Sequence, residues 1–99
     1  MGAPRWAQAP DANQDEVVKA LEKIGCSVYD AHRIGGGLPD LIVGYRGLTM
    51  LVEVKTPKGK LREGQEQWIR EWRGFTCVVR SPEDAIEKVM SHVKNHPIR

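Results

Sequence analysis

No apolar run in this 99-residue chain approaches the ~20 residues a helix needs to cross a bilayer. Met1 is followed by neither a basic stretch nor an apolar signal segment, so the expectation is a soluble, intracellular protein without a membrane partner. Cysteine is nearly absent: Cys26 and Cys77 stand far apart, each beside or within an apolar segment, and read as reduced thiols rather than as a disulfide. The three histidines do not pair with the cysteines at zinc-site spacing, and His92 with His96 lacks a third ligand nearby. The glycines at 35–37 lack both the following GK[ST] and the helix that a phosphate-binding P-loop requires. Internal repeats and low-complexity tracts are missing, and the length allows one domain with a modest core.

A charge excess is missing too. Fifteen Lys and Arg against thirteen Asp and Glu leave +2, too little to mark a nucleic-acid binder. Its distribution is more telling, because Lys55, Lys58, Lys60 and Arg62 cluster within eight residues. Such a patch can neutralise several phosphates, or it can be an ordinary solvated loop.

Residues 1–10 carry two prolines and no periodicity and read as a flexible arm; residues 11–99 are the folded unit. Trp6 in that arm is either an anchor for a partner or DNA or an incidental terminal aromatic. Asp11 with Gln14 resembles a capping pair, and Val17, Val18, Leu21 and Ile24 form the apolar face of a helix running to Gly25. A strand is predicted from Ser27 to about His32, then a loop, RIGGGLPD. Its glycines either shape an approach for another molecule or make a plain turn. Strands Leu41–Gly44 and Thr49–Lys55 form a hairpin about Tyr45-Arg46-Gly47. A helix from Glu63 to Trp72 places Gln65, Trp68, Ile69 and Trp72 on one face, which is expected to be buried, with the tryptophans in the core rather than as stacking platforms for nucleic acid. Phe75–Arg80 is a strand, and Ser81, Pro82 and Asp84 start a last helix whose stripe is Ala85, Ile86, Val89, Met90 and Val93. The order is α-β-β-β-α-β-α, an α/β fold with a mixed central sheet flanked by helices.

Chemistry concentrates in Pro39-Asp40 and Glu53-Val54-Lys55. Period-two geometry puts Glu53 and Lys55 on one face of a strand, and the hairpin brings Asp40 beside them. Two neighbouring carboxylates favour a raised pKa or a bound cation. Mg²⁺ (or Mn²⁺) suits them, since hard oxygen ligands can hold it while it keeps waters and meets a phosphate. The expected roles are Asp40 and Glu53 with the Val54 carbonyl as metal ligands, and Lys55 as the group that orients or activates water. The plainer alternative is an exposed strand face with a weak salt bridge. His32 and Arg33 could each approach a phosphate; for His32 the ordinary strand-end reading leads, while for Arg33 the two readings are even.

These motifs resemble the PD-(D/E)xK nuclease superfamily and, within it, the VRR-NUC family. The matching stretches are Gly37-Leu38-Pro39-Asp40-Leu41, Leu51-Val52-Glu53-Val54-Lys55 and Val78-Val79-Arg80-Ser81-Pro82-Glu83-Asp84-Ala85, with Leu61 to Trp68 in the place of that family's glutamine-bearing helix. The resemblance implies a restriction-endonuclease-like fold and a divalent-metal nuclease. It makes Asp40, Glu53, Lys55 and Gln65 catalytic and adds Glu16 as a supporting metal residue. Arg33, Lys58, Lys60 and Arg62 are the candidate DNA contacts. Small standalone members are similar to Holliday-junction resolvases and act as homodimers, so branched DNA is the expected partner, in the cytoplasm of a bacterium or, for a phage-encoded chain, of its host. The alternatives are a nicking or flap nuclease that relies on a partner for DNA recognition, and a non-catalytic DNA-binding subunit.

Overall fold

A computed structural model of the chain describes residues 12–96. The expected arm, Trp6 and the Asp11 end of the capping pair lie outside the described residues. The element order is the predicted one: α1 (Ala12–Lys23), β1 (Ser27–Asp30), β2 (Leu41–Tyr45), β3 (Leu48–Val54), α2 (Glu63–Glu71), β4 (Thr76–Val79) and α3 (Pro82–Asn95). The strands form one sheet in the order β1-β2-β3-β4, antiparallel except for the parallel β3–β4 pair. No helix among the described residues is long and apolar enough to cross a membrane.

Register divides the sheet into two faces. Leu41 lies opposite Val52, Val43 opposite Met50, and Val54 opposite Val79. All six are buried and join Val17 and Leu21 of α1 and Ala85 and Val89 of α3 in a single core. Alternation then sends Asp40, Ile42, Leu51 and Glu53 to the opposite face. A one-residue slip of β3 would exchange the two sets, so the aliphatic core fixes where the carboxylates point.

Local chemistry sets the element ends. Helix α1 stops at Lys23 rather than Gly25, because Gly25 adopts φ +105°. Its N–H bonds the Glu22 carbonyl at 3.0 Å, and the Cys26 N–H bonds that of Leu21 at 3.0 Å, which together form a Schellman cap. Strand β1 ends at Asp30, two residues short of the prediction, since the Asp30 carboxylate turns the chain by accepting the His32 N–H. Tyr45 and Leu48 close a two-residue hairpin in which Arg46 and Gly47 both have positive φ, 50° and 86°. Ser81 caps α3 by accepting the Asp84 N–H at 3.0 Å, with Pro82 in the first turn. Both cysteines are free thiols.

Helix α2 departs from its expected role. None of its residues is buried, and Trp72, just past its end, is 47% exposed. The tryptophans therefore do not belong to the core. Their rings stack on each other with centroids 4.8 Å apart, and Trp68 lies so close to Gly37 that a Cβ there would meet its side chain at 3.0 Å. The face that the helical period picks out is real, but it meets the glycine loop through Trp68 and β3 through Gln65, outside the aliphatic core.

Gly25→Ala forces a Cβ into positive-φ backbone and is expected to cost about 1–2 kcal/mol. Urea unfolding should show a lower midpoint with an unchanged slope; an unaltered midpoint would contradict the cap assignment.

Candidate active site

Glu53 is 2% exposed, yet it projects from near the end of β3 on the face away from the core. Asp40 immediately precedes β2, and the Leu41–Val52 pairing sets it beside Glu53. The two residues are cross-tied through the backbone. The Asp40 N–H donates to Glu53 Oε1 at 3.2 Å, and the Val54 N–H donates to Asp40 Oδ2 at 3.0 Å. The Ala31 N–H to the Asp40 carbonyl, 2.7 Å, pins Asp40 from β1's side.

Burial pushes the Glu53 carboxyl up to about 7, the Asp40 charge adds to the rise, and the Lys55 ammonium opposes it. Burial also raises Asp40, against the lowering effect of the Val54 hydrogen bond and Lys55. Two desolvated carboxylates in contact resist joint ionisation, which is the state a bound cation would favour.

Lys55 lies two residues beyond Glu53 on the same face, its Nζ 3.4 Å from Glu53 Oε2. Gln65 joins them from α2: its Nε2 donates to Glu53 Oε2 at 2.9 Å and its Oε1 accepts the Arg62 N–H at 3.0 Å. The amide is thus anchored at both ends, and it links α2 to β3. The Val54 carbonyl points to the same strand edge as the N–H that holds Asp40.

Glu16 is exposed on α1 and takes part in no hydrogen bond or ion pair with this cluster among the described residues. Among the described residues no set of three His, Cys, Asp or Glu side chains is placed to hold a metal. The donors gathered here are two carboxylates and a backbone carbonyl, all oxygen. They fit a hard cation such as Mg²⁺ that retains several waters, and they do not fit a closed nitrogen or sulfur site.

Arg33, Lys58, Lys60 and Arg62 are all exposed. Sequence reasoning missed what holds their loop. Arg80 Nη1 donates to the carbonyls of Thr56, 2.9 Å, and Gly59, 2.6 Å, clamping the turn that carries Lys58. Asn13 Nδ2 donates to the carbonyls of Lys55, 2.9 Å, and Arg80, 3.3 Å, tying α1 to the ends of β3 and β4. The only sequence signal for either is a polar residue flanking an apolar element, which is too common to single them out.

Beside the carboxylates opens a cavity of about 310 Å³, walled by His32, the three glycines, Asp40, Arg62 and Gln65. A slightly larger one, about 350 Å³, lies along α3 between Phe75, Lys88, His92 and His96. It is remote from the carboxylates and gathers no acidic pair, so the smaller cavity is the functional candidate.

The VRR-NUC domain family matches residues 3–92, a span that reaches into the stretch expected to be an arm. No curated protein and no solved structure matches the chain.

The raised Glu53 pKa has a definite sign. Between its ordinary 4.5 and about 7, the native carboxyl retains a proton that the unfolded chain has released. Stability contributed by that retention is therefore lost as pH rises through this window. In metal-free buffer the Tm of the wild-type chain is expected to fall relative to Glu53→Gln between pH 4.5 and 7; parallel curves would contradict the burial argument.

Proposed function

The chain belongs to the VRR-NUC domain family, and from that premise we propose that it is a divalent-metal-dependent endonuclease hydrolysing DNA phosphodiester bonds. In this reading it acts on branched DNA in the manner of a Holliday-junction resolvase and works as a homodimer. The observation that carries the reading is the pairing of half-buried Asp40 with buried Glu53 and the Lys55 ammonium 3.4 Å from Glu53, beside an open cavity that Arg62 lines.

Asp40, Glu53 and the Val54 carbonyl would hold Mg²⁺ or Mn²⁺, which supplies Lewis-acid polarisation of the phosphate and a more acidic bound water. The chain's own residues do the remainder. Lys55 orients the attacking water and offsets charge that grows on the phosphate as the new O–P bond forms and the ester P–O bond breaks. Gln65 keeps Glu53 turned toward the site through its 2.9 Å hydrogen bond. Arg33, Lys58, Lys60 and Arg62 contact flanking phosphates, and the Arg80 clamp reduces the conformational freedom lost on binding.

Dimerisation follows from substrate symmetry. A chain of this size has one such site, whereas paired cuts across a four-way junction require two related by a twofold axis. One observation favours the alternative of a nicking or flap nuclease. The stacked Trp68–Trp72 pair, with Trp72 exposed, sits next to the glycine loop, and exposed aromatic faces take up unpaired bases.

The test is cleavage of end-labelled four-way junction, flap, duplex and single-stranded DNA with and without Mg²⁺ or Mn²⁺. Symmetric metal-dependent cuts confined to the junction are expected. Preference for flaps or ends would support the alternative, and binding without cleavage would make the chain a non-catalytic DNA-binding subunit. Lys55→Ala is expected to lower cleavage by at least ~10²-fold with an unchanged circular dichroism spectrum; a folded variant that retains turnover would remove Lys55 from the mechanism.

A further inference from the structure

Asp30 and His32 sit where β1 enters the glycine loop, and neither has a part in the chemistry assigned to the carboxylates. Asp30 Oδ1 accepts the His32 backbone N–H at 3.0 Å and lies 2.6 Å from the ring Nδ1. An ionised carboxylate can only accept, so Nδ1 carries the proton and the ring is fixed from both its backbone and its side chain. Burial pushes the Asp30 carboxyl up, but the His32 hydrogen bonds outweigh it and hold the group below its ordinary value. Asp30 therefore remains an acceptor at neutral pH.

The other ring nitrogen is the anomaly. Nε2 is buried and has no partner among the described residues. Unpartnered buried polar atoms are rare and costly, and in a cavity wall they mark a place where a ligand completes the hydrogen bonding. His32 lines the cavity that holds Asp40.

The ligand's chemistry can be read from the other walls. A phosphate that approaches two carboxylates needs positive charge on its far side. Lys55 is engaged with Glu53 and does not line the cavity, whose permanently charged wall residue is Arg62. Gly35 and Gly36 hold φ of +76° and +68°, and a Cβ on either would meet nothing within 4 Å. The space above the loop is thus open, and the backbone rather than a side chain forms its floor. Phosphate oxygens are acceptors only, so a bond to one requires a proton on Nε2 as well. The resulting imidazolium is an ion pair with Asp30, the same arrangement that orients it.

We propose that His32 Nε2 donates a hydrogen bond to a backbone phosphate of bound DNA in this cavity, with Asp30 as the residue that positions the ring. The assignment rests on the nuclease reading and adds to it a fifth cationic contact, the only one built into the cavity wall from β1's side. The His32 ring is already oriented by Asp30 before DNA arrives.

The test uses the full chain with His32→Ala, His32→Gln and Asp30→Asn. In metal-free buffer, binding of an end-labelled four-way junction is followed over a KCl series. Loss of one cationic phosphate contact should reduce the log–log salt slope by about 0.9 for His32→Ala. His32→Gln keeps a donor without charge, so it should recover part of the affinity but not the slope. In cleavage assays His32→Ala should raise KM by about tenfold with a smaller change in kcat, and Asp30→Asn should move KM the same way. On ¹⁵N-labelled wild-type chain, the His32 Nε2 resonance should shift when the junction is added, while those of His92 and His96 stay in place. An unchanged slope, KM and Nε2 resonance would overturn the proposal even if the wild-type chain cleaves. If that chain binds but does not cleave, the nuclease reading fails and the slope and resonance still decide for His32. If His32→Ala does not fold, the wild-type resonance and the other two variants decide; if the wild-type chain binds no DNA, both readings fall.

Discussion

Two carboxylates must be kept together in a buried place where each opposes the ionisation of the other, and much of the structure can be traced to that requirement. The solution is mutual backbone solvation. Asp40's N–H serves Glu53, and Val54, the residue after Glu53, serves Asp40. Neither bond survives a change of strand register, so the pair depends on the aliphatic side of the sheet. Leu41, Val43, Met50, Val52 and Val54 sit against α1 and α3 and lock β2 to β3. The hydrophobic core thereby does electrostatic work, because its packing holds in place charges that would otherwise move apart.

Helix α2 represents the opposite economy. It has nine residues, shorter than an isolated helix that holds itself in water, and it buries none of them. Its fixed points are the Gln65 amide on Glu53 and the Trp68 contact with Gly37. Both anchors belong to the site. The position of α2 and the state of the site are consequently linked: whatever binds at Glu53 acts on the Gln65 bond, and whatever enters the glycine loop acts on Trp68. This is a natural place for the part of a nuclease that adapts to its substrate, with the rigid part confined to the sheet.

The sequence showed the architecture well and the long-range polar contacts poorly. Periodicity, the Gly25 stop and the Ser81-Pro82 start are local signals, and each corresponds to an observed boundary within two residues. The juxtaposition of Asp40, Glu53 and Lys55 was readable because hairpin geometry converts a spacing into a neighbourhood. Trp72 was misplaced because a helical period says which residues share a face and not what that face meets. The metal role of Glu16 came from likeness to a family pattern, whereas its place beside the apolar stripe of α1 is equally that of a solvated flank, and it is exposed. Asn13 and Arg80 donate to backbone carbonyls far along the chain, and nothing in the sequence identifies which carbonyls are left without a partner.

Charge distribution completes the picture. The net charge of +2 describes a nearly neutral protein, but a polyanion meets local fields rather than a sum. At the site one ammonium, Lys55, faces two carboxylates that resist joint ionisation, so the cluster has no surplus of positive charge with which to draw in DNA. Arg62 stands at the cavity, while Arg33 and the 58–60 loop display their cations in solvent. On the proposed function, cations around the site would hold the flanking backbone by attraction that salt screens, and their spacing around the cavity would set which backbone paths can satisfy them together.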